Sequence, residues 1–135
     1  MNTLDIAQLV RSALESHGCD PSLISDIDNH STIVLDLFDL PSIYISVVDE
    51  DVWLWASLCD YSDSVLDQSA SGLLRALMAG CPFMRTGQLQ LTNQDNALVL
   101  QGLVHQDNLL DSAKFAESLN EFFNQLEHFC QSLLR

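Results

Sequence analysis

Four histidines, His17, His30, His105 and His128, are the side chains best suited to acid–base or metal chemistry, and they are scattered along the chain. The densest cluster of chemically able residues surrounds His30. Asp28, His30 and Ser31 supply the residue types of a hydrolase, but such a set is assembled in space, and adjacency in sequence does not make one. No GxSxG turn presents Ser31. Asp26, Asp28 and His30 carry the one-three-five spacing of a calcium loop. Ser31 then occupies the position that needs glycine, and Leu37 the one that needs a bidentate glutamate. A polar loop leading into a strand is the better reading. Gly18, Gly72, Gly80, Gly87 and Gly102 stand alone, so no phosphate-cradling loop is present. His128 and Cys130, two apart, point in different directions on a helix, and no His/Cys spacing fits zinc. The sequence nominates no catalytic residue, no metal ligand and no cofactor site, and an enzyme is not expected.

The four cysteines, Cys19, Cys59, Cys81 and Cys130, form no CxxC pair. In a chain that is 47% hydrophobic they read as buried or half-buried thiols rather than a disulfide framework. Residues 1–14 contain acids and no long apolar run, which argues against a signal peptide. No stretch has the length to span a bilayer, so membrane insertion is not expected. The reducing cytoplasm is the consistent location. The 135 residues suffice for one domain over 1–135 and are too few for two ordinary ones. Five basic residues against nineteen acidic ones leave a net charge of −14. That disfavours nucleic acid, whose affinity rests on cations neutralising phosphates, and anionic membrane surfaces likewise. The apolar content slightly exceeds what a small monomer buries, which points to an interface.

Periodicity supplies the elements. Ile6, Val10, Ala13 and Leu14 recur at helical spacing and predict a helix over 4–16, capped by Asn2 or Thr3 and ended at Gly18. Asp20-Pro21 predicts a short helical turn through Ile24. Three alternating stretches follow, 32–38, 42–48 and 52–58, with turns at Asp39-Leu40-Pro41 and Asp49-Glu50-Asp51. They place Ile33, Leu35, Ile43, Ile45, Val47, Val52, Leu54, Ala56 and Leu58 on one face of an antiparallel meander. Val34, Phe38, Tyr44, Trp53 and Trp55 emerge on the other. A second helix is predicted over 65–79, with Ser64 and Asp67 as a capping box and a wide stripe of Leu66, Ala70, Leu73, Leu74, Leu77 and Met78. A hairpin over 88–92 and 97–105 turns near 93–96. A closing helix over 112–134, capped by Asp111, carries Phe115, Leu119, Phe122, Leu126, Phe129 and Leu133. The expected fold is α+β in the order α-β-β-β-α-β-β-α, a bent antiparallel sheet packed with helices. Trp53 and Trp55 have two readings, core packing or an exposed platform for a partner, and the alternation alone does not separate them.

These residues resemble a known family. LDIAQLVRSALE over 4–15 looks like the first helix of the InvB-type chaperones, and GCDPSLI over 18–24, HSTIVLDLF over 30–38, DVWLWA over 51–56, Gly87-Gln88-Leu89 and the helix from Lys114 to Leu133 continue the match. These are the class IB type III secretion chaperones, which serve several effectors. The likeness covers nearly the whole chain and is weakest over 59–82 and in the second hairpin. It implies a homodimer joined through the second helix and later strands, with an effector's N-terminal segment wrapped, extended, around it and adding a strand to the sheet. The partners implied are effector N-terminal segments and the secretion ATPase. The rival reading is a regulatory protein-interaction module without an export role.

The residues expected to meet an effector are Leu4, Val10 and Leu14 on the first helix and Val34, Phe38, Tyr44, Trp53 and Trp55 on the meander. Those expected at the dimer seam are Leu73, Leu77, Leu89, Leu91 and Leu100. Phe38→Glu is expected to leave a folded dimer that no longer co-purifies with effector. Unchanged co-purification would remove Phe38 from the site.

Overall fold

The computed structural model describes residues 6–16, 32–37 and 39–134, apart from the side chains of residues 6, 7, 16, 132 and 133. The elements are α1 (Ile6–Ser16), β1 (Thr32–Leu37), β2 (Leu40–Val48), β3 (Asp51–Asp60), α2 (Asp63–Met78), β4 (Gln90–Gln94), β5 (Ala97–Leu103) and α3 (Ser112–His128). A 3-10 turn, Gln106–Leu109, precedes α3 and a π turn, Phe129–Leu133, follows it. This is the α+β order the periodicity predicts. The short helical turn expected through Ile24 lies outside the described residues, as do Asp26, Asp28, His30 and Ser31.

The strands form one antiparallel sheet in the order β1-β2-β3-β5-β4. Its turns are made by short polar residues that tolerate the left-handed region. Asp39 has φ 62° and Asp49 φ 54°, while Asp95 and Asn96, at 52° and 65°, are the two central residues of the β4–β5 hairpin. Positive φ at both central positions matches hairpin twist, and Asp and Asn reach it at low cost. Pro41, expected in a turn, lies inside β2. It falls at the register shift facing Leu35–Leu37 and before β2 pairs with β3 at Tyr44. Its missing N–H therefore breaks no ladder bond. A second irregularity in β3, between Ser57 and Cys59, adds twist to the sheet.

The inner face of the sheet carries Ile43, Ile45, Val47, Val52, Leu54, Ala56, Leu98 and Leu100, all buried. Leu9, Val10, Ala13 and Leu14 of α1 and Phe115, Leu119, Phe122 and Leu126 of α3 complete that core. In this layer α1 packs on α3, and α3 on β2 and β3. Gly102 faces the same interior. A Cβ there would run into Met84 Sδ and come within 2.8 Å of Leu89 Cδ2, so the position admits no side chain without a shift.

α2 begins two residues earlier than its apolar stripe suggests. Ser62, in extended backbone, accepts the Val65 N–H at 3.1 Å, whereas Ser64 lies inside the first turn. Asp63 adds a negative charge at the positive end of the helix. Ser62→Ala is expected to cost about 1 kcal/mol and Ser64→Ala almost nothing. Urea titration of both variants checks this, and equal losses would place the cap elsewhere.

Candidate functional site

Chemistry at a nucleophile or metal has little to work with among the described residues. No group of three or more His, Cys, Asp or Glu is placed to hold a metal ion. His105 caps the 3-10 turn, its Nδ1 accepting the Asp107 N–H at 3.0 Å. His128 meets Phe129 edge to face. Burial raises the Cys81 thiol, against a smaller lowering by a backbone hydrogen bond from the Phe83 segment. It likewise raises Cys59, helped by Asp60, and Cys130, helped by Cys59. Thiols held neutral in this way are poor nucleophiles.

The other face of the sheet is different. Strand alternation sends Val34, Tyr44, Trp53 and Trp55 outward, and the register lines them up. Val34 lies opposite Tyr44, Tyr44 opposite Trp55, Trp55 opposite Gln101, and Gln101 opposite Gln90. One row thus runs across all the strands, apolar at the β1 end and amide-rich at the β4 end. The adjoining row is Thr32, Ser46, Trp53 and Leu103. Tyr44 and Trp55 stack with ring centroids 4.0 Å apart and planes 10° from parallel. Ser46 fixes the indole by accepting Trp55 Nε1–H at 2.9 Å. A stacked, anchored pair has already lost its rotamer freedom, so a partner that covers it loses less in ordering it.

The amide half is equally organised. Gln94 Nε2 donates to Thr92 Oγ1 at 2.9 Å and to Gln101 Oε1 at 3.0 Å, and Gln101 Nε2 donates to Gln90 Oε1 at 3.1 Å. Val99, 3% exposed, lies on the same side of β5 as Gln101 and opposite Thr92. Where the two halves meet, Ser46, Trp53, Trp55, Gln94 and Gln101 line an open depression of about 220 Å³.

Of the residues expected to meet a partner, Val34, Tyr44, Trp53 and Trp55 converge on this face, with Val34 49% exposed. For the tryptophans this favours the platform over the core. Val10 and Leu14 lie elsewhere, fully buried between α1, α3 and the sheet, and offer no surface in this chain. Leu4 and Phe38 lie outside the described residues. Among the seam residues, Leu73, Leu89 and Leu100 belong to the chain's own core, and Leu77 and Leu91 are half-buried against it. The wide stripe on α2 divides in two. Leu66, Leu73 and Leu77 turn inward, while Ala70, Leu74 and Met78 line the outside four residues apart, Leu74 58% and Met78 66% exposed. Two signals for this were available in the sequence. The α2 stripe is wider than one interface needs, and Gln90, Thr92 and Gln94 alternate.

The same arrangement of helices and strands occurs in three solved structures of protein complexes. The chain superposes on one from the heterodimeric ExoU–SpcU complex of the type III secretion system of Pseudomonas aeruginosa, with TM-score 0.60, 18% identity and 93% and 94% of the two chains covered. In the ExsC–ExsE complex the values are 0.69, 13%, 99% and 98%. In the HopA1–SchA chaperone–effector complex they are 0.61, 15%, 96% and 95%. The fold is therefore one that a type III secretion complex and a chaperone–effector complex contain. Sequence narrows this further. The chain is 59% identical to the surface presentation of antigens protein SpaK of Salmonella typhimurium, over all 135 residues and the whole of that protein, and equally to that of Salmonella typhi. Residues 18–95 match the family model of the invasion protein B family, and the chain belongs to that family.

The buried thiols generate a pH dependence. A folded state that keeps thiol protons which the unfolded chain releases is fully stabilised below the ordinary thiol range, and loses that stability as pH rises through and beyond it. Urea midpoints are expected to fall above about pH 9, less steeply in Cys81→Ala. An unchanged slope in that variant would assign the loss to other groups.

Proposed function

We propose that this chain is a type III secretion chaperone that works by binding and not by catalysis. In this reading it receives the N-terminal segments of effector proteins, keeps them extended and soluble in the bacterial cytoplasm, and does so as a homodimer of single-domain subunits. The observation that carries the reading is the outer sheet face, where Val34, Tyr44, Trp53 and Trp55 gather in register on a side that α1 and α3 leave uncovered. Family membership supports it, as does the chaperone–effector complex among the folds it shares.

Energetics explain why extended segments suit this surface. An extended chain can pair with β1, an edge strand whose Thr32–Leu37 stretch is apolar apart from Thr32 and Asp36. Its outward side chains then extend the aromatic row by one position at the Val34 end. Covering roughly 200 Å² of apolar surface contributes about 5 kcal/mol. Ordering a disordered segment costs on the order of 2–5 kcal/mol. One face therefore barely breaks even, and affinity requires more than one. A dimer supplies two, linked through a single effector segment, and converts the second contact into an intramolecular event. The outward stripe Ala70, Leu74 and Met78 on α2 is the surface we assign to the second copy, with Leu77 behind it and the expected contributions of Leu73, Leu89, Leu91 and Leu100 reduced to supporting that wall from within. Delivery of the loaded dimer to the secretion ATPase is part of the same proposal and follows from the family likeness.

Co-expression with an effector N-terminal segment, followed by size-exclusion chromatography, tests the whole. The wild-type chain is expected to elute as a dimer carrying the segment. Trp55→Glu should give a folded dimer without it, and Leu74→Glu a monomer at micromolar concentration. Retention of the segment by Trp55→Glu would move the binding site off the outer face.

A further inference from the structure

The depression at the junction of the two half-faces has a chemistry of its own. Its walls are the indoles of Trp53 and Trp55, the amides of Gln94 and Gln101 and the Ser46 hydroxyl, with no cation among them. Hydrogen bonding leaves the hollow with spare acceptors. Both Nε2 hydrogens of Gln94 are directed at Thr92 and Gln101. Its Oε1 accepts no hydrogen bond among the described residues. Trp55 is pinned by Ser46 and stacked on Tyr44, whereas the Trp53 indole makes no hydrogen bond or ring contact among the described residues. Indole faces attract cations through their quadrupole, and carbonyl oxygens accept from N–H donors. By strand alternation the same face carries two carboxylates, Asp36 on β1 and Asp51 at the start of β3. The latter is paired with Arg85 at 3.0 Å, so that guanidinium is already engaged. The chain as a whole carries −14.

We propose that this hollow is a specificity pocket for a guanidinium: it takes one arginine side chain of the bound segment, stacked on Trp53 and donating to Gln94 Oε1. The inference rests on the reading of the outer face as a peptide-binding surface and adds what that surface selects. A planar cation fits better than an aliphatic side chain because the walls combine π faces with oxygen acceptors, and an apolar occupant would leave Gln94 Oε1 desolvated without a donor. A carboxylate would meet amide oxygens, aromatic faces and the negative field of the protein.

The probe is a short capped peptide of alternating threonine and valine carrying arginine, methionine or glutamate at its centre, titrated into the full-length protein by calorimetry at two salt concentrations. The arginine peptide is expected to bind about fivefold tighter than the methionine peptide, and the glutamate peptide weakest. Trp53→Ala should abolish the preference for arginine while circular dichroism reports an unchanged fold. Gln94→Glu, which puts a carboxylate at the acceptor position, should strengthen arginine binding, and Gln94→Lys should remove it. A preference that survives Trp53→Ala would reflect the acidity of the chain at large and overturns the pocket. Equal or tighter binding of the methionine peptide overturns the pocket too, yet leaves the outer face as a peptide surface. Failure of all three peptides to bind overturns both.

Discussion

The period-two alternation of β3 governs the molecule. Val52, Leu54, Ala56 and Leu58 enter the core from one side of this strand, and Trp53 and Trp55 leave it on the other. β3 is also the middle strand, paired to β2 along one edge and to β5 along the other. A slip of one residue in either pairing would drive two indoles into a space sized for Leu54 and Ala56 and expel the aliphatic set into water. Several kcal/mol of apolar burial on the inside thus holds the register, and the register alone sets the aromatic row on the outside. Core and outer face are two readouts of one constraint, and Ser46 completes the Tyr44–Trp55 stack by holding the indole N–H.

Much of this was legible in the sequence. Element order followed from periodicity because the three meander strands alternate and α3 keeps a clean stripe from Phe115 to Leu126. Turn positions followed from Asp and Asn. What escaped has definite causes. Pro41 suggests a turn to any local reading, since only the register shift opposite it reveals that its N–H is not needed. Ser62 and Ser64 look alike as caps, and backbone geometry separates them. Val10 and Leu14 share their apolar character with real surface residues, and the packing of α1 against α3 decides that they face inward. The glutamine chain was signalled only by the alternation of Gln90, Thr92 and Gln94, a pattern that in a short strand normally marks mere solvent exposure.

Charge and shape play separate parts on the two sides of the sheet. Acidic residues outnumber basic ones nineteen to five, and a net charge of this size opposes self-association of a chain with half-buried aromatics on one sheet face. Among the described strand residues, alternation puts Asp36 and the Arg85-paired Asp51 on an outer face otherwise made mostly of uncharged side chains. Apolar contact, stacking and main-chain pairing can thus act there without large desolvation penalties. The long-range field still biases which segments approach, so selection by sign and retention by shape are handled by different atoms.

The uncovered outer face also has a meaning for the architecture. Among the described residues α1 and α3 pack on one side of the sheet, a two-layer arrangement, and the outer side presents its side chains in register. On the proposed reading the incoming polypeptide adds to that sheet, so that cargo becomes part of the carrier's own tertiary structure. Anything that binds only the folded state raises that state's stability by mass action. Loading is then recorded as rigidity throughout the sheet, and an empty carrier is a measurably softer object than a full one.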